Sequence, residues 1–350
     1  MRNSRCHCLL RATVALVSLL LGMPAIAQPE SNTNDKIDQA VARGVAFLVN
    51  QQTPTGAINE QNNNQTAITS LSILALTAVG HQPTDKTREG EALRKALAYI
   101  LKKENQDKDG YFGMDGSRMY GHGITTLMLC EMLGMGVNNE QEDLIRVACN
   151  KGINVILLAQ KTPKGNDNKG GWRYERNSGD SDMSVTVWQL MALRAAKNAG
   201  IEVPKEAIDA AVNYIKQSFQ KQGQMAGFGY VPNQGPTFST AAEGLLALQV
   251  CGQYDAPEVK ATSDWLLISA PSDNFFYYGL YYYAQGMYQR REPYATRAEK
   301  LVEDSLLPKQ AADGSWQASG GSENVGRTYA TTMALLSLAV KFHYLPIYQR

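Results

Sequence analysis

Two aspartates, Asp180 and Asp182, stand in the stretch GGWRYERNSGDSDMSVTVW (170–188), behind the glycine-anchored Trp172 and just ahead of a helix-like run. Two chemistries are open to them. A short acceptor side chain can cap the helix running from Val185 to Ala195, and its charge suits the positive end of the helix dipole. Alternatively, a carboxyl at the mouth of a cavity can serve as a general acid. Asp182, nearer the helix, is expected to cap. Asp180, between Gly179 and Ser181, is the one expected to project from the loop and do chemistry.

Loops of the same kind carry further polar candidates: Asp115 and Arg118, Arg173 and Glu175, Tyr230, and Glu323, Asn324 and Arg327. Each precedes an apolar helical run, so a fold that sets those runs parallel gathers them at one end. The competing reading is that solvated loops are polar anyway. His122, in Tyr120-Gly121-His122-Gly123, stands alone at the start of such a run, where a hydrogen-bonded structural role competes with ligand binding. The densest aromatic cluster is Phe275, Phe276, Tyr277, Tyr278, Tyr281, Tyr282 and Tyr283. Such rings can stabilise a cation or stack on a sugar. Placed this densely they cover every helical direction, so most must pack, leaving about two, with Tyr278 and Tyr282 the candidates, to face a site.

These candidates are positioned by a repeat. Apolar, small-residue helical patterns recur as TAITSLSILAL, GITTLMLCEML, MSVTVWQLMAL, FSTAAEGLLAL, YYGLYYYAQGM and YATTMALLSLA, aligning Thr69, Thr125, Thr186, Ala241, Leu280 and Thr331 at spacings of 56, 61, 55, 39 and 51 residues. A more charged, amphipathic pattern precedes each, as in EALRKALAYILKK and KEAIDAAVNYIKQSF. A helix polar on one face belongs outside and one apolar all round belongs inside. Repeated units that cannot bury their apolar faces alone must stack. The expectation is all-α, about six outer and six inner helices in a closed double ring.

Between outer and inner runs, Gln310 to Gly314 and Trp316 spell Q-x3-G-x-W; Gln106, Gly110 and Phe112 repeat the frame, and Gln52, Gly56 and Ile58 do so more weakly. Gly170-Gly171-Trp172 and Gly227-Phe228-Gly229-Tyr230 keep the glycine and aromatic half. Glycine permits a tight turn that folds the ring back over the end of the outer helix, and the Gln amide can pair with backbone groups of the next turn.

The frame, the period and the small-residue inner runs resemble the squalene cyclase and prenyltransferase-repeat superfamily over about residues 36 to 342, which implies a single α/α toroid. The triterpene cyclases of that superfamily carry their proton donor in a DxDD motif. Here the pattern stops at Asp180-Ser181-Asp182, with Met183 in the last acidic position, and there is one toroid rather than two. The Asp-x-Cys zinc pair of the protein prenyltransferases and the Gly-Cys-Gly-Glu-Gln thioester stretch are missing. The resemblance therefore implies no metal and no cofactor. Its leading implication is a terpene cyclase-like protein binding or transforming an apolar, isoprenoid-like molecule in the central cavity. Asp180 and Asp182 are the candidate acids, and Arg118, His122, Trp172, Arg173, Glu175, Tyr230, Tyr278, Tyr282 and Arg327 are the candidate binding residues. A non-enzymatic platform for protein or glycan is the alternative, and a polysaccharide lyase-like toroid the third.

The chain opens with MRNSRCHCLLR, an apolar run and Ala25-Ile26-Ala27, which reads as an export signal over 1–27, followed by a short linker, 28–35, and the toroid, 36–350. Losing Arg2, Arg5 and Arg11 changes the formal charge from +1 to −2, which does not suit nucleic acid. No later run has the roughly 18 uncharged residues of a membrane span. A soluble protein outside the cytoplasm is expected. Cys130, Cys149 and Cys251 fall in apolar helical patterns and read as buried thiols, with one disulfide among them left open.

Overall fold

The computed structural model describes residues 32–61, 63–272, 274–318, 323–342 and 344–348. The expected export signal and most of the linker lie outside the described residues. Among those described, twelve α-helices alternate in character as the sequence patterns do. In outer and inner pairs they are α1 (Asn32–Asn50) and α2 (Gln65–Ala78), α3 (Arg88–Ile100) and α4 (Arg118–Glu131), α5 (Asn139–Gln160) and α6 (Met183–Asn198), α7 (Lys205–Gln217) and α8 (Phe238–Val250), α9 (Pro257–Ile268) and α10 (Phe276–Gln289), α11 (Tyr294–Leu306) and α12 (Arg327–Leu338). Outer helices begin on ordinary signals: Thr87 accepts the Gly90 N–H at the start of α3, and Asn138 that of Gln141 at the start of α5. Inner helices are buried nearly throughout, every residue of α2 from Thr66 to Ala78 included.

Each inner helix packs on the next, and α12 returns to α2, so the ring closes into an α/α toroid of six outer and six inner helices. Small residues permit the close approach. A Cβ on Gly279 of α10 would fall 2.6 Å from Ser239 Oγ of α8, and one on Gly123 of α4 would fall 2.3 Å from the Gln189 amide of α6. Buried hydroxyls bond back to their own helix, as Ser70 does to the Thr66 carbonyl and Ser72 to that of Ile68.

The Gln and Gly of each loop join neighbouring repeats. Gln52, Gln106 and Gln310 each donate Nε2–H to the carbonyl of their own loop glycine and to a carbonyl of an adjacent outer helix: Ala92, Ala148 and Ala40. Gln160, which the sequence reading left out of the frame, does the same with Gly170 and Ala207. Gly56, Gly110, Gly170 and Gly314 all have positive φ, and a Cβ on any of them would meet the backbone of that same neighbouring helix. Glycine is required there by conformation and by space at once. Trp172 and Trp316 donate their indole N–H groups to Ile156 and Leu306 at the ends of outer helices.

In the connection before α8, a two-stranded antiparallel hairpin, β1 (Phe219–Gln222) and β2 (Met225–Phe228), takes the place of the Gln frame. At the C-terminal end of the inner ring, Leu345, Ile347 and Tyr348 are buried. Ile347 donates its N–H to Glu131 Oε2 on α4, and the Tyr348 hydroxyl bonds that of Tyr281 on α10.

Candidate functional site

A helix N-terminus exposes N–H groups that its own turns cannot satisfy. In this ring the following repeat often supplies the acceptor. Asp115, ahead of α4, accepts the Thr66 N–H of α2 at 2.8 Å. The Tyr174 carbonyl takes Met119 N–H of α4, and the Tyr230 carbonyl takes Met183 N–H of α6. Glu323, ahead of α12, accepts Tyr277 and Tyr278 N–H of α10, and Glu60, ahead of α2, accepts Arg327 and Thr328 N–H of α12.

The inner helices are thereby held with their first turns around a cavity of about 670 Å³. Ala67, Ile68 and Leu71 line it from α2, Tyr120 and Ile124 from α4, Ser184 and Trp188 from α6, Glu243 from α8, Tyr278 from α10 and Tyr329 from α12. At the mouth, Asn64, Arg118 and Phe275, all cavity-lining, adopt the left-handed conformation with φ of 54°, 55° and 54°. Non-glycine residues held there cost of order 1 kcal/mol or more each, a cost concentrated here around one opening. The Phe275 ring remains 41% exposed at that rim.

Among the described residues two acids line the cavity, Glu323, which caps α10, and Glu243, which caps no helix. Glu243 is the one of interest. It is 1% exposed, and its Oε2 has no hydrogen-bond partner. Burial pushes its carboxyl well above the usual carboxylate range; the Ser184 and Tyr278 hydroxyls pull the other way, and the charge of Asp182 adds to the rise. Its raised carboxyl and its unpartnered oxygen both follow from enclosure against the cavity wall. Tyr278 accepts the Trp188 indole N–H at 3.1 Å, and Trp188 stacks on Tyr281 with centroids 6.0 Å apart. Sequence reasoning missed Glu243, although it is the lone charge in the otherwise uncharged run FSTAAEGLLAL.

Asp182 is the N-cap of α6, its Oδ1 accepting the Val185 N–H at 2.8 Å. Burial raises its carboxyl to about 6, against the Val185 N–H and the nearby Arg173. Arg173 bridges the pair, 3.5 Å from Asp182 Oδ2 and 3.4 Å from Asp180 Oδ2, and lies over the rings of Tyr174 and Tyr230. Asp180 is more than half exposed, and neither aspartate lines the cavity. Tyr230 does line it, its hydroxyl 2.5 Å from that of Tyr174. Arg118 lines the mouth and pairs with Glu175 at 3.3 Å.

Several residues read as binding candidates lie elsewhere. His122 is buried away from the cavity, accepting the Phe112 N–H at Nδ1 and meeting the Gly152 carbonyl through Nε2. It fills the place that Thr69, Thr186 and Thr331 fill in other repeats, where a hydroxyl accepts the N–H of Ile58, Trp172 or Trp316. Trp172 is equally buried, its indole turned to the outer helix. Tyr282 packs among Trp188, Tyr278 and Tyr281 behind the wall. Arg327 pairs with Asp313 outside the cavity, Asn324 is exposed, and Glu323 is a buried cap that also lines the wall. Of the aromatic cluster, Phe275 and Tyr278 reach the cavity; Tyr278 was expected to and Phe275 was not. Among the described residues no three His, Cys, Asp or Glu side chains are grouped to hold a metal ion, and no helix is long and apolar enough to cross a membrane.

No protein-family model matches the sequence, and no curated protein resembles it significantly. Solved structures do share its fold. The type II terpene cyclase MstE from Scytonema superposes at a TM-score of 0.56 with 16% identity, over 88% of this chain and 98% of that one. A variant of MstE in complex with geranylgeranyl dihydroxybenzoate gives 0.58 at 16% identity, over 89% and 98%. The GH76A α-1,6-mannanase of Salegentibacter sp. HEL1_6 gives 0.61 at 10% identity, over 87% and 99%. At such identities the likeness is one of fold, the α/α toroid, which a terpene cyclase and a mannanase share.

Proposed function

We propose that the cavity binds a largely apolar, isoprenoid-like molecule and that Glu243 is the proton donor for its transformation. One observation carries this reading: a buried carboxyl group with an unpartnered oxygen, which burial pushes toward its protonated form, faces a cavity whose remaining wall is mostly aliphatic and aromatic. Its volume falls within the roughly 300–1,000 Å³ of small-molecule sites. Protonating an alkene or epoxide needs an acid held neutral until it acts, away from competing water. The cation so formed would meet the faces of Trp188, Tyr278, Tyr120 and Tyr329. In this reading Asp182 positions rather than donates, Asp180 and Arg173 hold the loop, and Arg118, Tyr230 and Tyr278 contact the ligand. The basic and apolar opening of the chain supports export, so the ligand would be met outside the cytoplasm.

The partner bound by the MstE variant suggests the probe. Purified protein is titrated calorimetrically with geranylgeranyl dihydroxybenzoate and with α-1,6-mannotriose, and its organic extract is examined by mass spectrometry. Binding of the prenylated compound with a negative heat-capacity change, lost in Leu71→Trp, is expected. A second reading rests on the exposed Phe275 beside Ser272, Asn274 and Thr237, a rim suited to stacking and hydrogen-bonding a sugar. Binding of mannotriose alone would replace the first reading with that one.

A further inference from the structure

We infer that Cys130 and Cys149 are a disulfide-forming pair that staples outer helix α5 to inner helix α4. Their Sγ atoms lie 2.7 Å apart, against about 2.0 Å for a sulfur–sulfur bond, so a small side-chain adjustment closes the link. Both thiols are buried, at 3% and 0% exposure, within helices rather than loops. The surrounding contacts hold these helices in register: His122 of α4 reaches the Gly152 carbonyl of α5, and a Cβ on Gly152 would lie 2.6 Å from Thr126 Oγ1. The two sulfurs therefore meet because the helices are fixed along their length.

The reaction is a thiol–disulfide exchange. A disulfide-bearing oxidant R–S–S–R is attacked by one thiolate, giving a mixed disulfide and R–S⁻; the second cysteine's sulfur then displaces the other R–S⁻, and the two cysteine protons end on the two R–SH released. The two electrons go to the oxidant's sulfurs. Once the core has packed, both thiols are enclosed and out of reach of the oxidant, and burial, then the neighbouring Cys149, push the Cys130 thiol well up. The link therefore forms while α4 and α5 are docking. Its place is consequential, because α4 carries Arg118, Tyr120 and Ile124 into the cavity and holds the 344–348 segment through Glu131.

The test is peptide mapping of the full chain, purified without reductant, unfolded, alkylated and digested. A species joining the Cys130 and Cys149 peptides, lighter by two hydrogens and separated by reduction, is expected, with Cys251 alkylated. If both thiols alkylate, the protein is unfolded and refolded with oxidised and reduced glutathione, and the same species is then expected. Alkylation of both cysteines after that treatment, or a glutathione adduct on one of them, overturns the inference. Cys251→Ser must leave the link intact; loss of the link in that variant overturns it too.

Discussion

The Thr328 N–H donates to Glu60 Oε2 at 2.8 Å, across 268 residues of sequence. The loop entering the first inner helix thus caps the last one, as neighbouring loops do elsewhere in the ring. Closure couples the final repeat to the first, unlike an open solenoid. Deleting residues 329 to 342 is expected to unfold the whole toroid in one transition. Glu60→Ala should cost about 1–2 kcal/mol, the loss of a cap. By contrast Glu91→Ala, which removes an exposed ion pair within α3, should leave the unfolding transition almost unmoved. Chemical denaturation of the three variants compares them. An unchanged melting temperature in the deletion would contradict the closed ring.

Asp180 and Asp182 separate by stability. Asp182→Ala should cost about 1–2 kcal/mol, for the lost cap and for leaving Arg173 half unpaired; Asp182→Asn should cost less, since Asn also caps. Asp180→Asn loses only an exposed contact and should stay within about 0.5 kcal/mol. Thermal melts of the three decide it, and a costlier Asp180→Asn would reverse the assignment.

Glu243→Gln keeps the shape of the side chain and removes its proton. If Glu243 is the proposed donor, turnover of the ligand should fall about a hundredfold or more while the melting temperature is kept or raised. Because burial raises the acid, wild-type activity should persist above the ordinary carboxylate range and decline only as the pH passes the folded-state value. Full activity in Glu243→Gln would end its role as donor.

Glu131 gives a pH signature of its own. Burial lifts it from 4.5 to about 7, with the Ile347 N–H opposing. Below about pH 4.5 the folded and unfolded states both hold the proton. Above that the unfolded state releases it first, so the contribution of Glu131 to stability falls until about pH 7 and then levels. The whole effect is at most about 3 kcal/mol. Glu131→Gln should therefore melt close to wild type at pH 4.5 and above it at pH 8. His122, pushed down to about 4 by burial, acts oppositely, taking stability away as the pH drops below 6.5. A gap between Glu131→Gln and wild type that stays constant with pH would refute the burial argument.

His122→Ala leaves the Phe112 N–H and the Gly152 carbonyl unpaired in the interior, which should cost about 2–4 kcal/mol. Elemental analysis should find no stoichiometric zinc in wild type or variant. One zinc per chain, lost with the imidazole, would make the residue a ligand instead.

The architecture was legible because it is written locally and repeatedly. Charged and apolar helical patterns alternate, the glycine and aromatic loops recur, and Thr69, Thr186 and Thr331 fall at like places in their repeats. Patterns of this kind depend on which face of a helix meets water, and periodicity reports that directly. The cap at Asp182 was legible for the same reason, since its partner Val185 lies three residues away. The fit of Gln160 to the Gln frame was hidden by its longer loop, which carries glycine and tryptophan beyond the usual spacing.

The site itself was decided by tertiary structure. Glu243 lies in an apolar, small-residue pattern and His122 at the start of another, yet one side chain opens on a cavity and the other is enclosed between α4 and α5. Trp188 and Tyr278, 90 positions apart, share a hydrogen bond, and Glu60 reaches α12 only when the ring has closed. Sequence determines which helices form and which of their faces must be buried, because those are properties of neighbouring residues. Which buried side chain faces empty space, and with what proton, depends on how six inner helices meet around one axis, and that is set by contacts between residues far apart in the chain.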